Sequence, residues 1–183
     1  MKDECLFPPN GNIILMPPCS QTVPPSIRDF SLPQEYAEFI SNHDGAHVVY
    51  DRSDLDLDEL HIVLFSLSDI LNGGCYRDSF GGYLGSELTM RDDFQNVHLG
   101  VRTTANESPY NEASKLYQKF YQDYLVFGYV WSYWDEPIRW ISLFGIDRDG
   151  TYIMSDDYGI EHGFPVAWRG TSLRKLFEEA RNV

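Results

Sequence analysis

Cysteine is scarce in this sequence and is never grouped as metal or redox chemistry needs it. Cys5, Cys19 and Cys75 are an odd number at wide spacing with no C-x-x-C pair, which argues against a zinc ribbon or a redox dithiol. They read as free thiols of a reducing compartment. Basic residues are also few: 14 Lys and Arg stand against 28 Asp and Glu, a formal net charge of -14. Nucleic-acid affinity comes from Lys and Arg neutralising phosphates, so the charge argues against direct DNA or RNA binding. It argues equally against adhesion to an anionic membrane. No apolar run approaches the length of a membrane span. The opening Met-Lys-Asp-Glu-Cys-Leu-Phe-Pro-Pro lacks the basic start and apolar stretch of a signal peptide. A cytoplasmic protein is expected.

Catalytic signatures are missing as well. Gly73-Gly74 and Gly81-Gly82 are followed by no Gly-Lys-Ser or Gly-Lys-Thr, and there is no G-x-S-x-G elbow and no strand-loop-helix G-x-G-x-x-G unit. Cys75 has no surrounding pattern of a catalytic thiol, and His98 and His162 stand alone.

Apolar residues make up 43% of the chain and aromatics 15%, enough for a substantial core, since each aromatic buries a large area. At 183 residues the chain suits one domain burying roughly 70% of its unfolded surface. Three Pro-Pro pairs, Pro8-Pro9, Pro17-Pro18 and Pro24-Pro25, mark residues 1–25 as an extended arm packed on the domain of residues 26–183, because proline neither continues a helix nor donates to a sheet. The arm's one strand candidate is Ile13 to Met16.

A first helix is expected after a Ser31/Gln34 capping box, with Pro33 in its first turn. Leu32, Tyr36, Phe39, Ile40 and His43 form its inward stripe, and Glu35 and Glu38 turn to water. After a polar stretch, His61 to Phe65 reads as a buried strand, with Ser66 or Ser68 capping a short helical turn. Residues 72–107 read as loop with one or two short strands. Ser108 and Pro109 open a second helix with Leu116, Phe120 and Tyr124 as its stripe. Strands follow at 125–131, 139–147 and 151–155, with Asp149-Gly150 as a hairpin signal. Val166 to Trp168 adds a short strand, and Thr171 or Ser172 caps a last helix whose inward face is Leu173, Leu176, Phe177 and Ala180. This order predicts a single α+β domain with a curved, mostly antiparallel sheet and helices packed against it.

Three constellations bear on chemistry. His43-Asp44-Gly45-Ala46-His47 approaches the spacing of a helical zinc protease and offers a metal-dependent hydrolase as an alternative function. Asp is a methylene too short for the general base, and Gly45 costs a helix about 1 kcal/mol. Asn-His-Asp-Gly suits a helix stop better, with Gly45 in the left-handed conformation. Asp54-Leu55-Asp56-Leu57-Asp58 resembles half an EF-hand, but Glu59 replaces the obligatory Gly and Phe65 the final Glu. Its alternation predicts an extended acidic comb, flanked by Asp51 and Glu59 and opposed only by Arg52. Finally, Tyr129, Trp131, Tyr133, Trp134 and Trp140 lie near Asp135 and Glu136 with only Arg139 as a cation, so packing explains them better than base stacking.

Together these stretches resemble the SUKH superfamily, the SMI1/KNR4-like proteins. The resemblance rests on Leu32-Pro33-Gln34-Glu35-Tyr36 through Phe39-Ile40 to Asn42-His43-Asp44-Gly45, on Leu64-Phe65-Ser66-Leu67-Ser68-Asp69-Ile70, on the strand at 125–129, the hairpin at 141–155 and the closing helix at 171–177. It implies one α+β domain, no catalytic residues, no cofactor and no metal. It further implies an immunity protein of a polymorphic toxin system, neutralising a cognate toxin by stoichiometric binding. A non-catalytic interaction scaffold is the alternative. The resemblance implies a toxin that is often a nuclease, and the charge predicts that its surface is basic and held by Asp51, Asp54, Asp56, Asp58 and Glu59.

Overall fold

The structure is a computed structural model and describes residues 6–51, 59–71, 119–132, 140–156 and 165–182. Its elements are β1 (Asn12–Leu15), β2 (Ser26–Ile27), β3 (Phe30–Ser31), α1 (Gln34–Asn42), β4 (Ala46–Asp51), β5 (Glu59–Leu64) and α2 (Leu67–Leu71). A helical stretch at 119–123 (α3) leads into β6 (Leu125–Ser132), β7 (Trp140–Ile146), β8 (Tyr152–Ser155), β9 (Val166–Gly170) and α4 (Leu173–Arg181). The α+β class expected from the sequence is observed. Seven strands form one antiparallel sheet in the order β1-β4-β5-β6-β7-β8-β9, and β2 pairs with β3 alone.

From β4 to β9 each strand pairs with the next in sequence, although residues 65–124 separate β5 from β6. β1 joins it from outside by pairing with β4, Ile13 opposite Val48 and Leu15 opposite Ala46. The arm of residues 1–25 therefore contributes a strand to the same sheet, and Leu6 and Phe7 are buried in the same core.

Register sorts the side chains into two faces, because directly opposed residues point the same way. Val48, Ile62 and Val130 fall in one row. On that face Tyr36 of α1 packs on Phe127 at 4.7 Å between ring centroids, and Phe177 of α4 lies 6.1 Å from Phe144 and stacks on Phe7 at 4.7 Å. The helices are seated by apolar stripes read correctly from the sequence: Tyr36, Phe39 and Ile40 in α1, and Leu173, Leu176, Phe177 and Ala180 in α4, all buried.

Several local expectations hold in detail. Ser66 Oγ accepts from Asp69 N at 3.1 Å and donates to the Asp69 carboxylate at 2.5 Å, starting α2. Ser172 caps α4 by accepting from Lys175 N. In the β7–β8 turn, Asp147 Oδ1 accepts from Asp149 N and Thr151 N, and Gly150 takes φ +81.

Others are corrected. Residues 46–51, expected as a polar connection, form β4. The Ser31/Gln34 capping box does not form: pairing with Ser26 holds Ser31 in β3, Pro33 takes the N-cap position, and Gln34 Nε2 donates to Glu38 Oε1 at 2.7 Å. Glu35, assigned to water, accepts from Leu173 N at 2.7 Å and so caps α4 from α1. An acidic group there is favoured by the partial positive charge of a helix N-terminus. The loop expected at 72–107 and the helix start at 108–118 lie outside the described residues. Among the described residues no helix is long and apolar enough to cross a membrane.

Phe177 is fully buried among aromatic rings. Phe177→Ala is expected to destabilise the fold by about 3–5 kcal/mol in urea denaturation. Arg174→Ala, which removes an exposed pair with Glu178, is expected to change stability by no more than about 0.5 kcal/mol.

Candidate functional site

The β4–β5 hairpin carries the residues on which function was expected to rest. Six pairs hold the strands together, from Ala46↔Leu64 at one end to Asp51↔Glu59 at the other. The comb's two flanking carboxylates thus stand directly opposite each other at the neck of the connection 52–58. Asp51 is exposed, and the Glu59 side chain is 43% exposed. Asp54, Asp56 and Asp58 lie outside the described residues, as does the extended shape expected for them. Asp51 and Glu59 are both acidic, and like charges directly opposed across a ladder repel.

Behind the neck, on the same face, lies a histidine pair. Alternation puts His61 two residues along β5 from Glu59, and the register puts His47 diagonally across from it. His47 Nε2 and His61 Nδ1 are 3.0 Å apart, with ring centroids at 5.2 Å and planes inclined by 27°. His61 is fully buried and His47 nearly so. Glu59 Oε2 comes within 3.2 Å of His61 Nε2, yet this approach is not aligned as a hydrogen bond. Burial, with His47 adding to it, pulls the His61 pKa down from 6.5 to about 3. At neutral pH the contact therefore joins a carboxylate to an uncharged imidazole, and the distance alone does not make it an ion pair.

The metal-hydrolase alternative loses its geometry here. His43 follows the end of α1 in an extended conformation, φ -143 and ψ 112, with its ring 5.7 Å from that of Phe39. Asp44 Oδ1 accepts from Leu67 N at 2.7 Å, and its own N–H donates to Pro17 O. His47 sits in β4, beyond the turn at Gly45, whose φ is +112. The helix does stop, as expected, but at Asn42, ahead of this stretch, rather than at Gly45. The glycine serves the turn into β4, where a Cβ would lie 2.8 Å from Leu64 O. Among the described residues no group of three or more His, Cys, Asp or Glu is placed to hold a metal ion.

Of the aromatic cluster, Tyr129 is fully buried, in line with packing. Trp131 and Trp140 lie on the paired strands β6 and β7, and Tyr133 and Trp134 are outside the described residues. The sequence reading missed the His47–His61 pair. Its only signal was a histidine in each of two alternating strands, and their meeting depends on register.

No protein-family model, no curated protein and no solved structure matches the chain.

His61 makes the fold sensitive to acid. Its folded pKa of about 3 lies below the unfolded 6.5, so below 6.5 the unfolded chain binds a proton that the folded one refuses. Its contribution is flat above 6.5 and falls by about 1.4 kcal/mol per pH unit on acidification toward 3. Urea denaturation between pH 7.5 and 5 is expected to show this slope, and His61→Gln to lose about one proton's worth of it. An equal slope in both proteins would contradict the assignment.

Proposed function

We propose that this chain is a protein-binding module of the SMI1/KNR4-like type, an immunity protein that neutralises a cognate bacterial toxin bearing a basic surface. The observation that carries the reading is the acidic neck. Asp51 and Glu59 are opposed across β4 and β5, and the connection between them adds Asp54, Asp56 and Asp58 against the single cation Arg52. The net charge of -14 has the same sign. The α+β class that the resemblance implies is observed.

The proposed mechanism is occlusion. Surplus carboxylates draw a cationic partner by long-range attraction, raising the association rate above that of neutral surfaces. The strand-anchored neck then presents two carboxylates at fixed separation, so little ordering entropy is lost there on docking. The reading requires no bond-making step and no cofactor. The toxin is bound and covered, and its active site is denied to substrate.

Reversing Asp54, Asp56 and Asp58 to Lys is expected to slow association with the co-purified partner by about tenfold or more at low salt. The difference should shrink as salt is added. Stopped-flow mixing measures both. An unchanged on-rate, or a native partner that is itself strongly anionic, would contradict the proposal.

A further inference from the structure

Among the described residues, one edge of the sheet has no further strand or charged side chain to guard it. β1 lies outermost, paired on one side only with β4. Met16 N donates to Gly45 O, which fixes the phase of the ladder: the backbone groups of residues 12, 14 and 16 face β4, and those of Ile13 and Leu15 face outward. Edge strands usually carry charge, a bulge or an inward-pointing lysine to prevent pairing with another chain. Asn-Ile-Ile-Leu has none of these. No charged residue occurs between Glu4 and Arg28 in a protein with a net charge of -14. Ile14 is 44% exposed, one of two large apolar side chains left so among the described residues.

The opposite edge differs. β9 follows Pro165 and carries Arg169, whose side chain is half exposed and bound to Asp147.

We propose that β1 is a self-association edge, pairing antiparallel with β1 of a second copy about a two-fold axis at Ile14. That register places Ile13 of each copy opposite Leu15 of the other, so that their four outward N–H groups meet four outward carbonyls. Ile14 then opposes Ile14 of the second copy at a non-hydrogen-bonded position, where side chains come closest. Pro8-Pro9 and Pro17-Pro18 bound the pairing segment, since proline cannot extend a ladder. The two-fold arrangement uses up the β1 edge of both copies, so pairing through β1 closes at the dimer. A second copy fits this strip better than a basic partner does, because the strip offers a cation nothing to bind. It is also a place where two anionic bodies can meet without opposing like charges directly.

The contact is small, and a weak, concentration-dependent dimer is expected. It depends on neither the acidic neck nor the toxin reading. Salt separates the two: screening mutual repulsion should strengthen the dimer, whereas it weakens capture of a cation. Sedimentation equilibrium of the full chain, up to about millimolar concentration and at low and high salt, should show the dimer and its gain with salt. Amide exchange at Ile13 and Leu15 should slow by about tenfold or more between the dilute and concentrated ends. Ile14→Asp, which opposes two carboxylates across the axis without touching the core, should abolish both effects and leave the circular dichroism unchanged. Ile13→Pro, which deletes a central donor, should do the same to the dimer. A monomer at every concentration and salt would overturn the proposal, as would a dimer that persists in Ile14→Asp. Protection of Ile13 and Leu15 that appears only on adding a different protein would overturn it too.

Discussion

The pairing of β4 with β5 is the constraint on which the remaining features depend. Six consecutive pairs from Ala46↔Leu64 to Asp51↔Glu59 fix the face to which each residue belongs. Because side chains alternate, a slip of one residue would exchange the faces completely. Val48, Tyr50, Leu60 and Ile62 would leave the helix-covered core, and His61 would enter it. The same register brings Asp51 to Glu59 and His47 to His61. It also leaves β4 with one free side, which β1 fills. The core, the acidic neck, the histidine pair and the open edge are four consequences of one alignment.

Charge and burial are distributed along this hairpin in opposite directions. At the neck, Asp51 is exposed and Glu59 partly so; two residues inward, His61 is sealed from water. A protonated imidazole there would have answered the neck's negative charge, but burial denies His61 its proton. The buried imidazole therefore adds no positive charge beneath Asp51 and Glu59. Beneath them the ring contact at 3.0 Å ties β4 to β5 and holds the neck's geometry. In the proposed function the paired histidines act as support, and the surface above them is the docking face.

Much of this was legible in the sequence where short-range rules decide. The α4 stripe, its Ser172 cap, the Ser66 start of α2 and the Asp149-Gly150 turn follow from spacing and hydrogen-bonding capacity within a few residues. The failures share a cause in long-range contact. β4 was passed over because His47 and Asp51 make its pattern look polar until β1 and β5 flank it. Ser31 looked like a helix cap because nothing local announces its pairing with Ser26. Glu35 looked solvent-facing, yet it caps a helix 138 residues further along the chain. The acidic comb was visible as composition, while the meeting of its two flanks at a strand neck required the fold.

The central claim is that the β4–β5 neck is where a basic partner docks. Amide exchange of the native complex, formed with the protein that co-purifies from the chain's own cells, locates that contact directly. The account predicts that protection gained on binding centres on residues 51–59. Protection centred on the α1–α4 side of the sheet, with 51–59 exchanging as in the free protein, would contradict it.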